Sequence, residues 1–107
     1  MADSLVTKLG KTRAGERSRI WIEGTRLTAA GFAVGVVFLK KWDSEAGKLE
    51  LTTRMPKDTP QTSRGRVTGK GDKPIIDIIG AKVIKTFKGC SHVRATYYKG
   101  RIVIEKA

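Results

Sequence analysis

The sequence predicts a mainly β domain with short helices, built from two β-α-β-β repeats. Residues 19–51 read RIWIEGTRLTAAGFAVGVVFLKKW, a polar break, then KLEL; residues 74–104 read PIIDIIGAKVIKTFKGCSHVRATYYKG, then RIVI. Each stretch runs strand, Gly, short helix, turn, strand, Gly-containing turn, strand. Apolar residues alternate at Ile20 and Ile22, Leu49 and Leu51, Ile76 and Ile78, and Ile102 and Ile104, the period of a half-buried strand. A chain of 107 residues, 39% hydrophobic with 12 Gly, suffices for one modest core and is read as a single domain over 1–107.

Residues 1–18 are polar and basic without a clear period. They read as a flexible N-terminal arm, with a short strand at 4–7. Repeat 1 spans 19–52. Its first strand is 19–23; Gly24 and Thr25 break it, and Thr25 is the expected N-cap. A helix over 26–30 buries Leu27 and Ala30, which lie three apart. Gly31 ends the helix in the αL conformation, and Phe32 folds back onto the core. Gly35 gives a tight turn, 36–42 the second strand, 43–47 a hairpin loop with Gly47 at positive φ, and Leu49 and Leu51 mark the third strand. Residues 53–73 hold Pro56, Pro60 and three glycines but almost no apolar residues, and read as a long basic loop joining the repeats. Repeat 2 spans 74–107. There Gly80 answers Gly24, Val83 answers Leu27, Phe87 answers Phe32 with one residue deleted, Val93 answers Phe38, and Ile102 and Ile104 answer Leu49 and Leu51 across a hairpin shortened to Tyr98-Lys99-Gly100-Arg101.

The charge narrows the function. The chain carries 22 Lys and Arg against 10 Asp and Glu, a formal net charge of +12. Residues 1–18 contribute +2, 19–52 +1, 53–73 +4 and 74–107 +5. Repeat 1 is nearly balanced, so the loop and repeat 2 carry most of the field. Such a charge implies a polyanionic partner, nucleic acid first. No long amphipathic basic helix points to a membrane surface, and no apolar run is long enough to span a bilayer. With no apolar signal core at the N-terminus and Cys90 as the single cysteine, a reducing cytoplasm without disulfides is expected.

The residues of repeat 1 carry a resemblance. Ile20-x-Ile22-x-Gly24-x-x-Leu27-x-x-Ala30-Gly31-Phe32-x-x-Gly35, followed by a hairpin ending in Leu49-x-Leu51, is similar to the SymE-like family of the AbrB/SpoVT swapped-hairpin superfamily. Arg26 stands where that pattern carries Trp. The second copy departs further, with Thr86-Phe87-Lys88-Gly89 in place of the Ala-Gly-Phe-x-x-Gly core. The resemblance implies a swapped-hairpin β-barrel that normally needs two copies of the motif. Here one chain supplies both as an intrachain pseudo-dimer, or two chains swap as a homodimer. It further implies a DNA-binding regulator or antitoxin, or an RNA-cleaving toxin of the SymE kind. It assigns no catalytic residue.

Candidate contacts follow from the basic positions. Lys82, Lys85 and Lys88, three apart, are expected on one helix face, with Arg26 their counterpart in repeat 1. Together they would form a two-lobed phosphate-contacting surface, or else a solvated helix face. Arg54, Lys57, Arg64, Arg66 and Lys70 lie on the long loop, where Arg64-Gly65-Arg66 would enter a groove or else belong to a floppy linker. Lys40, Lys41, Arg94 and Arg101 lie on strands near Trp42, Tyr97 and Tyr98; these aromatics stack on single-stranded bases in one reading and cap the barrel end in the other. Cys90-Ser91-His92 would pair a thiol with an imidazole if 90 and 92 share a strand face, with no third group to orient His92. Asp43, Glu45 and Asp77 form no metal-binding cluster, and nothing calls for a cofactor. The sequence therefore reads as a small, non-enzymatic nucleic-acid-binding protein, a DNA-binding regulator of bacterial, plasmid or phage origin with DNA favoured over RNA. The alternatives are a SymE-like RNA-cleaving toxin and an inhibitor docking on a host nucleic-acid-processing protein.

Overall fold

The structure, a computed structural model, describes residues 3–11 and 17–107. Nine strands and two helices follow in order: β1 (Asp3–Lys8), β2 (Arg19–Glu23), α1 (Thr25–Ala29), β3 (Val37–Asp43), β4 (Lys48–Thr52), β5 (Arg64–Arg66), β6 (Thr68–Lys70), β7 (Lys73–Ile79), α2 (Ala81–Thr86), β8 (His92–Tyr98) and β9 (Arg101–Lys106), with a 3-10 turn at Gln61–Ser63. The chain is mainly β, with two antiparallel sheets. One has six strands in the order β1-β8-β9-β4-β3-β5, the other three in the order β2-β7-β6. The β-α-β-β order thus occurs twice, as β2-α1-β3-β4 and β7-α2-β8-β9.

The alternating isoleucines and leucines meet one another. Ile20 pairs with Ile78 and Ile22 with Ile76 in one sheet, while Leu49 pairs with Ile104 and Leu51 with Ile102 in the other. All eight are buried, so the two inner faces build one core. Leu27 and Val83, the apolar residues of the two helices, are both fully buried, as are Phe32 and, nearly so, Phe87. Across the outside of the smaller sheet, Arg19 donates twice to the Asp77 carboxylate, both at 2.8 Å, and stands over the Trp21 ring at 4.6 Å. The carboxylate holds the guanidinium above its usual range. No helix among the described residues is long and apolar enough to cross a membrane.

Three expectations need correction. First, residues 3–8 are not a free arm: β1 runs along β8, with Thr7 opposite Val93, and Leu9 behind it is 1% exposed. Leu5 and Val6 remain exposed, so β1 is held by edge pairing rather than by one buried face, and it carries no periodic signal. Second, the 53–73 segment is not one loop. Its β5 pairs with β3, placing Gly65 opposite Phe38, and β6 pairs with β7. Val67 between them is 1% exposed. The two segments are equivalents: Leu9 N–H donates to Ser91 O and Val67 N–H to Val36 O, both at 2.9 Å, each just before the strand it flanks. Arg64-Gly65-Arg66 is therefore a paired strand and not a finger. A Cβ on Gly65 would lie 2.5 Å from the Phe38 ring, so the glycine admits the aromatic side chain to the core. Third, Thr25 is not the N-cap. Gly24 holds that position at φ 110°, and Gly80 repeats it at φ 128°, an extended positive-φ conformation that only glycine adopts cheaply.

Candidate nucleic-acid interface

The outer face of the six-stranded sheet is a ladder of opposite charges. One row across the strands runs Arg94, Glu105, Lys48, Asp43. The next holds Lys41 opposite Glu50, whose carboxylate also meets Arg101 at 3.3 Å. Directly opposed cross-strand charges support a sheet and spend their field on each other. Arg94 thus stands in register with Glu105.

The balance changes at one end of this face. There a groove of about 550 Å³ is lined by Lys41, Arg54, Lys99 and Arg101, with Glu50 the one carboxylate among them. Two elements build its wall. Gly100 N–H donates to Ala30 O at 2.7 Å, tying the β8–β9 turn to the end of α1, and Thr53 N–H donates to Gly100 O at 3.0 Å. Arg54 N–H donates to the Thr52 hydroxyl at 3.2 Å. The first residues of the joining segment are thus clamped to the second hairpin, and Arg54 arrives beside Lys99. Lys99 was not singled out from the sequence, and Arg101 only as a strand residue. The signal lay in the Tyr98-Lys99-Gly100-Arg101 turn, which reads first as backbone punctuation and only second as two cations on either side of a glycine.

The two helix–strand corners differ. At α2, Lys40 projects on the same side of β3 as Phe38 and Trp42 and is half-buried. Burial, and then the nearby Lys82, pull its ammonium below the usual lysine range. Thr86 and Ser44 hydroxyls meet at 3.3 Å close by. Neither Lys40 nor Lys82 has a carboxylate within ion-pair distance among the described residues. At α1, Arg26 meets Asp3 at 2.6 Å, so the counterpart of Lys82 is neutralised. Tyr97, the counterpart of Trp42, is 6% exposed there.

The three helix lysines do not share a face. α2 ends at Thr86; Lys82 and Lys85 are exposed on it, while Lys88 lies in the turn beyond and, with Arg17, lines a separate depression around Cys90. Val83, Thr86 and Phe87, spaced i, i+3 and i+4, form the buried face of this short helix, and Gly89 at φ 78° turns the chain beyond it. On the joining segment, Arg64 donates to Thr59 O at 2.8 Å, Arg66 is exposed opposite Val37, Lys70 pairs in register with Lys73, and Lys57 is exposed. Cys90 precedes β8 rather than sharing a strand face with His92, and its thiol donates to the His92 carbonyl. The imidazole Nδ1 instead meets the Ser91 hydroxyl at 2.8 Å. Among the described residues, no three His, Cys, Asp or Glu side chains converge as metal ligands. No family model matches this chain, nor does any curated protein or solved structure.

Proposed function

We propose that the protein is a non-catalytic nucleic-acid-binding protein, a small regulator that takes up the phosphate backbone in the groove between the β8–β9 turn and the start of the joining segment. The supporting observation is the convergence of Lys41, Arg54, Lys99 and Arg101 on one concavity with Glu50 alone opposing them. Elsewhere on the same sheet, cations face carboxylates in register. Four cations against one carboxylate leave an excess of positive charge in a concave site, which concentrates a polyanion, and each phosphate neutralised releases condensed counterions. The likeness of repeat 1 to the SymE-like pattern supports reading the two sheets as one swapped-hairpin barrel, with DNA as the ligand. The exposed edge of β3 beyond Leu39, flanked by Lys40 and Lys82, extends the basic surface around the sheet.

The test is a fluorescence anisotropy titration against DNA at about 50 and about 200 mM salt. Lys41→Ala, Arg54→Ala and Lys99→Ala should each lower the salt slope by about one, whereas Arg94→Ala, outside the groove lining, should not move it. A salt-independent affinity would overturn the reading. The RNA-cleaving alternative requires His92 as general base, and its ring stands exposed at the start of β8, away from the groove lining. RNA cleavage that disappears in His92→Ala would restore that alternative.

A further inference from the structure

The β8–β9 turn separates two cavities, and Lys99 lines both. On one side lies the basic groove. On the other is a cavity of about 200 Å³ lined by Arg26, Ala29, Ala30, Tyr97, Tyr98 and Lys99, with Asp3 paired to Arg26. That volume is below the roughly 300–1,000 Å³ of sites that enclose drug-sized ligands, and it suits one planar ring system. Tyr98 supplies the flat wall. Its side chain is among the exposed large hydrophobics, at 42%, and the Arg101 guanidinium stands 5.1 Å from its ring centroid. An aromatic ring left exposed next to a cation-lined channel is the combination that single-stranded nucleic acid uses.

A second observation concerns Tyr97. Its hydroxyl is buried and has no hydrogen-bond partner among the described residues, and the charges it feels are Arg26 and Asp3, which line the same cavity. A buried hydroxyl without a partner is costly and uncommon in a finished fold. It marks the corner beside the cavity as one whose polar groups are not all satisfied among the described residues. The turn is also fixed in advance, because Gly100 bonds to Ala30 on one side and to Thr53 on the other. The stacking surface therefore need not be ordered when the ligand arrives.

We infer that the Tyr98–Arg101 turn is a seat for single-stranded nucleic acid: one unpaired base stacks on Tyr98 in the smaller cavity, while the phosphates beside it pass over Lys99 into the basic groove. This rests on the nucleic-acid reading and adds to it the strandedness of the ligand. Bases in a duplex are paired and stacked within the helix and cannot reach a pocket behind the turn, whereas a single strand presents each base in turn.

The experiment compares three labelled DNA ligands of equal length: an oligothymidylate, the same backbone carrying abasic spacers, and a duplex. Each is titrated with the full chain, with Tyr98→Ala and with Tyr98→Phe. The oligothymidylate is expected to bind about 5- to 150-fold more tightly than the abasic strand, the range that one stacked base supplies. Tyr98→Phe keeps that ratio, and Tyr98→Ala brings it close to one. Thermal unfolding of the variants separates a lost seat from a lost fold, since Tyr98→Phe preserves the ring whatever the alanine does. Equal affinity for the thymidylate and abasic strands, or a duplex bound more tightly than either, overturns the base seat and leaves the phosphate groove standing. Failure to bind any of the three at low salt overturns the nucleic-acid reading itself.

Discussion

The two helix–strand corners are built from the same parts and carry opposite chemistry. In each, a helix capped by a positive-φ glycine leans on the second strand of a repeat. At α1 and β8 the corner holds Arg26, Asp3 and Tyr97; at α2 and β3 it holds Lys82, Lys40 and Trp42. The difference comes from the flanking strand. β1 follows β8 from His92 to Tyr97 and brings Asp3 to Arg26. Its counterpart β5 begins only at Arg64, opposite Leu39, because the chain before it turns away at Gln61–Ser63. The edge of β3 from Lys40 to Asp43 therefore has no β5 residue beside it and meets no carboxylate from that side. A few residues of strand length decide whether a corner is neutral or basic. Lysines on a bare edge also discourage pairing with another chain.

The largest test of this comparison asks whether the corners are equivalent as core. Phe32→Ala and Phe87→Ala each remove a buried aromatic side chain and should each cost about 3–5 kcal/mol of stability, read as a shift in the urea midpoint at constant m-value. A cost for Phe87→Ala far below that for Phe32→Ala would break the equivalence. A second pair isolates the backbone. An added Cβ at Gly24 or Gly80 meets nothing within 4 Å, so alanine at either position costs only conformational strain, about 1–3 kcal/mol. Similar losses in melting temperature would confirm the same helix start in both halves.

The residues that share a role in both corners were legible in the sequence. Period-two isoleucines and leucines name their own partners when two strands bury the same face, and a Gly before a short apolar helix marks the turn into it. What was hidden depends on pairing rather than pattern. β1, β5 and β6 have little or no buried face of their own, apart from Leu9 and Val67 at their ends, so they look like arm and loop until β8, β3 and β7 are in place to hold them. The groove was hidden for the same reason. Lys41, Arg54 and Arg101 lie far apart in sequence, and they meet because β4 pairs with β9, setting Thr52 opposite Arg101, and Thr53 then bonds to Gly100. The helix lysines misled because spacing by three assumes a helix long enough to display it, and α2 ends before Lys88.

A smaller effect sharpens the electrostatic half of the comparison. The folded protein holds the Lys40 proton less tightly than the unfolded chain, through burial first and Lys82 second. Between that lowered value and the ordinary 10.5, the unfolded state binds more protons, so stability rises with pH through this window. Below it both states are protonated and the cost of the buried charge is fully present. Lys40→Met should therefore be more stable than the natural protein near pH 7, by at most about 1 kcal/mol because the pair is largely solvated. The advantage should shrink as pH approaches 10.5. Lys82→Met should give a smaller gain, since it removes only the second cause. Denaturant titrations at several pH values measure both.

The smallest expected effect concerns Asp3, and it separates placement from composition. Asp3→Asn leaves β1 paired but removes the carboxylate from Arg26, so the α1 corner acquires a free cation like the α2 corner. An exposed ion pair is worth about 0.2–1 kcal/mol, so the loss of stability should fall within that range. Affinity for DNA at low salt should rise about two- to fivefold, and the salt slope should steepen by about one as Arg26 becomes able to neutralise a phosphate. The converse substitution, Gln61→Asp, puts a carboxylate at the counterpart position, three residues before Arg64 as Asp3 is three before Val6. If residue identity alone governed the corners, this variant would weaken binding by silencing Lys82. Gln61 lies in the turn that leaves β3 rather than on a strand along it, so its carboxylate should not reach Lys82, and the salt slope should stay where it was.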